Sequence, residues 1–143
     1  MSDMVLPQPH RDPFLDALRP YVSLVVEELV RHGFAVSASW LDPFDPRDTT
    51  IVLRRGDGLQ ALVYDEETGW RFGDFVSGKQ GVRTVLGAAR TLNGGLLPKP
   101  AEVVRCLVEG DFTTPVMFRR HTDLDDGYEE RLRAAGVAGI PVA

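Results

Sequence analysis

The chain has 143 residues, of which 43% are hydrophobic, 26% charged and 8% aromatic, the composition of an ordinary globular domain that buries a core without metal or disulfide support. Its net charge of -5 argues against nucleic-acid binding, which needs Lys and Arg to neutralise phosphates; Arg54, Arg55, Arg119 and Arg120 are only isolated pairs. One cysteine, Cys106, excludes an intramolecular disulfide and a cysteine zinc site built from one chain.

Residues 1–11 read as a flexible leader and residues 12–143 as a single α+β domain. Asp12-Pro13 is a helix start, because Asp accepts from an orphan N–H and Pro lacks the N–H that would be orphaned. Phe14, Leu18, Val22, Val25, Val26 and Leu29 then form one apolar stripe at three- and four-residue spacing. Pro20 interrupts it, so the helix either kinks there or restarts after a short turn. Gly33 is the left-handed residue expected to end it. The period then falls to two, which predicts a strand with Phe34, Val36, Ala38 and Trp40 facing the core, beside Ile51, Leu53, Leu62 and Trp70.

Leu41 to Asp48, with two prolines and three aspartates, is a loop. Strands follow at 49–55, 59–64 and 70–76, joined by Gly56-Asp57-Gly58 and by the turn from Asp65 to Gly69. Connections this short join antiparallel neighbours, so these four strands read as a meander. Helical spacing is read at Val82, Val85, Leu86, Ala89 and Leu92, in spite of Gly87. A further helix is expected at Ala101, Val104, Leu107 and Val108, ended by Gly110. Thr114 to Arg119 is expected as a fifth strand, and Leu124, Tyr128 and Leu132 as a last helix ended by Gly136. The expected fold class is α+β: a four- to five-stranded, mostly antiparallel meander packed against helices.

The sharpest chemical signal runs from Gly73 to Gln80 with the spacing GxxxxGK. In a phosphate-binding loop the lysine reaches the phosphates and a following hydroxyl binds magnesium. Here Gln80 stands in place of that hydroxyl, and an antiparallel sheet is the wrong frame. Two readings remain. Ser77 caps the following helix and Gly78 turns the chain, or Ser77, Gly78 and Lys79 hold an anion at that helix N-terminus. Trp70 could line such a pocket or cover a core edge. Asp42, Asp45 and Asp48 stand three apart and could share a hard cation, but a calcium loop needs ligands at alternate positions, the intervening prolines make turn chemistry the better reading, and no metal or cofactor is expected. Asp65, Glu66 and Glu67 sit at a hairpin tip, where carboxylates stay solvated. His10, His32 and His121 are scattered, no serine has a nucleophile setting, and Cys106 reads as a small buried hydrophobe.

Three stretches carry a family resemblance: Tyr21 to Leu29, Ala61 to Trp70 with its acidic turn and Gly-Trp, and Leu96 to Val104 with its Pro-x-Pro helix start. Together they resemble actinobacterial proteins grouped as domain-of-unknown-function family 6292. The resemblance implies an α+β fold and an actinobacterial cytoplasmic origin; it supplies no substrate, cofactor or catalytic residue. No apolar run approaches the ~18 residues of a membrane span, and the N-terminus lacks the apolar segment of a secretory signal. The expected function is a non-catalytic protein-binding or adaptor module in the cytoplasm. The alternative is a small-molecule binding protein or enzyme with an anionic ligand near residues 77–81. Strand one, if it is an edge, holds no charge or proline to defend it, and a homodimer through it or through the helix that packs beside it is expected.

Overall fold

The computed structural model describes residues 5–41 and 46–137. Asp12 caps a single turn, α1 (Pro13–Asp16), by accepting from the Phe14 N–H at 2.9 Å. The chain restarts as α2 (Arg19–Arg31) with Pro20 in its first turn, so of the two readings of that proline the restart holds. Tyr21, Val22, Val25, Val26 and Leu29 are buried along one face of α2. Gly33, at φ +89°, ends the helix, and the Phe34 N–H returns to the Leu29 carbonyl. Val5 and Leu6, in the stretch read as a leader, pack against the core.

Six antiparallel strands follow in one sheet, ordered as in the sequence: β1 (Ala35–Leu41), β2 (Asp48–Arg55), β3 (Gly58–Asp65), β4 (Gly69–Lys79), β5 (Val82–Leu92) and β6 (Phe112–Thr113). The expected four-stranded meander is present, but the sheet has six strands, not four to five. Two further helices complete the fold among the described residues, α3 (Pro100–Glu109) and α4 (Tyr128–Ala135). The core lies between the helices and one face of the sheet. There Ile51, Leu53, Leu62, Tyr64 and Trp70 meet Tyr21, Val25, Leu29, Val103 and Tyr128. No helix among the described residues is long and apolar enough to cross a membrane.

Three expectations are corrected. Val82 to Leu92 is strand β5, paired antiparallel with β4 from Arg71↔Thr91 to Lys79↔Val82. The helical spacing there does not report burial: Val82 and Val85 are about half exposed, at 48% and 51%. Pairing with β4 decides the backbone, and Val82, Thr84, Val85 and Thr91 are β-branched residues suited to it. Second, the strand expected at Thr114 to Arg119 is displaced. β6 is Phe112–Thr113, paired with Thr91 and Leu92, and Pro115 has no N–H to extend it. Third, β1 carries a bulge between Val36 and Ala38. Phe34 and Val36 pack on the core as expected, but one extra residue turns Ala38 and Trp40 to the opposite face, where they pair with Val52 and Thr50.

That opposite face is itself covered. The β4–β5 hairpin curls over it. The Trp40 ring meets Phe75 edge-on at 6.4 Å, Thr84 bonds Thr50 at 2.7 Å between hydroxyls, and Gln80 donates to the Leu41 carbonyl. Val52, Ala61 and Val63 are buried beneath it. Helix α3 ends at Gly110 as expected, in the left-handed conformation. Its buried face is Val103, Val104 and Cys106, one position off the expected stripe, and Val108 is exposed. In α4, Tyr128 and Leu132 are buried, whereas Leu124 lies before the helix and is exposed.

Candidate functional site

Gly73 to Lys79 all belong to strand β4, and the chain then turns into β5. There is thus no helix N-terminus behind Ser77, Gly78 and Lys79, and Ser77 caps nothing. The glycines have a different use. A Cβ on Gly73 would stand 2.6 Å from the Gly87 carbonyl oxygen and 3.0 Å from Ala89 Cα, and one on Gly78 would stand 2.5 Å from Thr84 Oγ1. Both allow the close approach that lets the hairpin curl. Trp70 stands at the other end of β4, buried in the helix-facing core, and its Nε1–H donates to Tyr21 Oη at 3.1 Å. The structure does not bring Trp70 together with Ser77, Gly78 and Lys79.

Asp42 and Asp45 lie outside the described residues. Asp48 is buried at the start of β2 and accepts from Arg83. Among the described residues no group of three metal-ligating side chains converges. Cys106 is buried and its thiol donates to the Asn93 carbonyl; burial pushes the thiol up from its ordinary value. His32 bonds the last turn of α2 through Glu28, and His121 binds Glu67 at 2.9 Å. Burial alone would raise the Glu67 carboxyl, but its hydrogen bonds from His121 bring it below the ordinary range.

Glu66, expected to be solvated, is 1% exposed. Its Oε1 accepts from Arg47 Nη2 at 2.8 Å, Arg47 Nε at 3.1 Å and Arg119 Nη1 at 2.9 Å, and its Oε2 accepts from the Arg47 backbone N–H at 2.6 Å. Arg47 also binds Glu129, and Arg119 binds Asp126 at 2.6 Å. Burial works against the charge of both guanidinium groups, and these carboxylates overcome it, holding Arg47 well above the ordinary arginine range and raising Arg119. Arg119 lies 4.2 Å and Arg47 5.6 Å from the Tyr128 ring centre, and the Tyr128 and Tyr64 hydroxyls bond at 2.8 Å. Burial pushes both phenols up, out of reach of titration near neutrality. This cluster ties the β1–β2 and β3–β4 connections to the C-terminal segment. Every oxygen of Glu66 is spent inside the protein, so the cluster is structural.

The open concavity lies among the helices. Tyr21, Leu24, Glu28 and Arg31 fall at three- and four-residue spacing and form one stripe of α2. Arg131, Ala134 and Ala135 of α4 face it, and Leu96, Leu97 and Ala101 close it at the entry to α3. Between them is a groove of about 1040 Å³, with Phe118 and Val137 on its wall. The small side chains of Ala101, Ala134 and Ala135 leave the space. Glu27, Glu28, Arg31, Lys99 and Arg131 are also among its lining residues. Apolar and charged side chains thus share the groove. Phe118 is held in place by its own N–H, which donates to the Glu67 carbonyl at 2.8 Å, and its ring stays half exposed. Sequence reasoning missed this groove, although Leu24 was a signal: it is an apolar residue of α2 outside the stripe that fills the core.

The fold and groove define an α+β domain whose helices form a cleft on one face of a meander. The model of the family of unknown function DUF6292 matches residues 21–109, more than half of the chain. The chain belongs to that family. No curated protein and no solved structure gives a match. The matched span runs from the start of α2 to the end of α3, so Arg119, Asp126, Tyr128 and Glu129 of the buried charge cluster lie beyond it.

Proposed function

We propose that this domain is a protein-binding module that receives an amphipathic helix of a partner in the groove between α2 and α4. The groove carries the reading: apolar side chains to take an apolar stripe, with charges beside them to fix its register. From Tyr21 to Arg31 the lining of α2 spans about 15 Å of helix axis, room for roughly three turns of a partner helix. The proposed setting is the cytoplasm, in keeping with Cys106 as a buried free thiol.

A displayed library of helical peptides, selected on the pure protein, tests this. Apolar anchors at i, i+3, i+4 and i+7 are expected among the binders. Ala134→Glu, at an exposed position inside the groove, is expected to lower affinity at least tenfold, and Val108→Glu, on exposed α3 surface outside it, to leave affinity unchanged. Selection without that pattern, or binders indifferent to Ala134→Glu, rejects the proposal.

A specific observation also favours self-association. β1 is the outermost strand of the sheet, and Ala35 to Leu41 carries no charge and no proline. Pairing of two β1 edges about a two-fold axis would satisfy its outer backbone groups. Light scattering is expected to give twice the 15.8 kDa mass of one chain at micromolar concentration; a monomer there removes the dimer.

A further inference from the structure

The apolar side chains of the groove between α2 and α4 accept any apolar stripe, so by themselves they select no particular helix. The charges beside them can. Five charged side chains line the groove: Glu27, Glu28, Arg31, Lys99 and Arg131.

Their pairing is unequal. Arg31 donates to Glu28 at 2.8 Å, one turn away on α2, and His32 stands 3.4 Å from the same carboxylate. That acid and its partners are satisfied within their own helix end. Glu27, Lys99 and Arg131 are all exposed, and none of the three has an ion-pair partner among the described residues. Two unclaimed cations thus share the groove with one unclaimed acid. The cations come from different elements: Lys99 immediately precedes α3 and Arg131 belongs to α4, whereas α2 supplies the acid. The chain as a whole carries a net charge of -5, which repels acids at long range. At physiological ionic strength, however, exposed charges farther off than about 8 Å are largely screened, so the near ones decide what a seated ligand meets.

We propose that the helix received by the groove is acidic, with Asp or Glu beside its apolar stripe pairing with Lys99 and Arg131. This rests on the helix-binding reading of the groove and adds the charge of the partner. The apolar anchors supply the affinity, and the two cations supply the choice among helices that share those anchors. A basic helix meets Lys99 and Arg131 with only Glu27 to offset them, and like charges brought together at an interface oppose binding.

The test uses three capped helical peptides with the same leucines at i, i+3, i+4 and i+7. They differ only in the residues beside that stripe, which are all Glu, all Gln or all Lys, residues of similar helix propensity. Binding to the full chain is followed by fluorescence anisotropy at about 0.15 M salt, where remote charge is screened. The Glu peptide is expected to bind about fivefold more tightly than the Gln peptide, and the Lys peptide more weakly than either, since exposed pairs are individually modest. The double variant Lys99→Glu with Arg131→Glu, at two exposed and unpaired positions, is expected to invert the order, so that the Lys peptide binds best. Three peptides within twofold of one another, a preference for Lys in the wild type, or an order that the double variant leaves unchanged overturns the acidic partner while leaving the groove as a helix site. If none of the three binds, both readings fall together. Peptide binding that weakens as protein concentration rises puts a second copy of the chain in the groove and also overturns the proposal.

Discussion

Glu66→Ala is expected to destabilise the domain by about 3–5 kcal/mol, a large share of the roughly 5–15 kcal/mol available to a chain of this size. The Glu66 carboxylate accepts from both Arg47 and Arg119, whose side chains are 0% and 4% exposed. Removing it leaves two guanidinium groups facing each other away from water. Glu129 and Asp126 remain on their outer sides but cannot reach the vacated centre, since each already binds a different edge of its arginine. Glu66→Gln keeps the shape and loses the charge, so a smaller loss is expected. Replacing Arg47, Glu66 and Arg119 together by apolar residues should recover stability relative to Glu66→Ala, because the loss lies in uncompensated charge. Urea unfolding followed by circular dichroism measures all three. A Glu66→Ala variant within about 0.5 kcal/mol of wild type would contradict the structural role given to this cluster.

Gly73→Ala is expected to cost about 1–3 kcal/mol, while Lys79→Ala stays within about 0.5 kcal/mol of wild type. The Cβ of an alanine at 73 meets backbone on both counts, the Gly87 oxygen at 2.6 Å and Ala89 Cα at 3.0 Å. Backbone cannot swing aside as a side-chain end can, so β5 must move off β4 and the curl over the second face loosens. Lys79 is exposed at the end of β4. A phosphate-binding loop predicts the reverse pattern, with little structural loss at the glycine and loss of nucleotide affinity at the lysine. Thermal unfolding with and without nucleotide separates the two, and nucleotide-dependent stabilisation that Lys79→Ala abolishes would restore the phosphate reading.

These two variants also mark where sequence reasoning reached and where it stopped. The first four strands were legible because alternation and glycine turns are local signals, written within a few residues of where they act. The helix spacing at Val82 to Leu92 misled because it fits a helix face equally well, and only pairing with β4 decides between them. The bulge that turns Trp40 away from the core has no residue signature; Ser37 is an ordinary strand residue. Glu66 was misjudged because a hairpin tip is normally wet, and the residue that buries it, Arg119, lies 53 positions along the chain. The groove has the same difficulty. Leu24 is visible as an apolar residue off the main stripe, but Leu97, Phe118 and Ala134 join it only through packing.

Every strand of the sheet pairs with its neighbour in sequence. Such a sheet can assemble in the order in which the ribosome delivers it. From β2 to β5 each hairpin closes over a turn of a few residues as its second strand emerges, at small loop-closure cost, and β6 joins β5 after α3. The charge cluster follows a different schedule. Arg47 and Glu66 arrive early, but Arg119 and Glu129 arrive only after the whole sheet has left the exit tunnel, 53 residues behind Glu66 and 82 behind Arg47. Until then a nascent chain holds paired strands around an Arg47–Glu66 pair that still lacks the bonds from Arg119 and to Glu129. The stretch that follows the sheet therefore acts as a latch: it brings the second cation to Glu66 and the second acid to Arg47, lays Tyr128 beside both arginines, and sets the α4 wall of the groove in the same step.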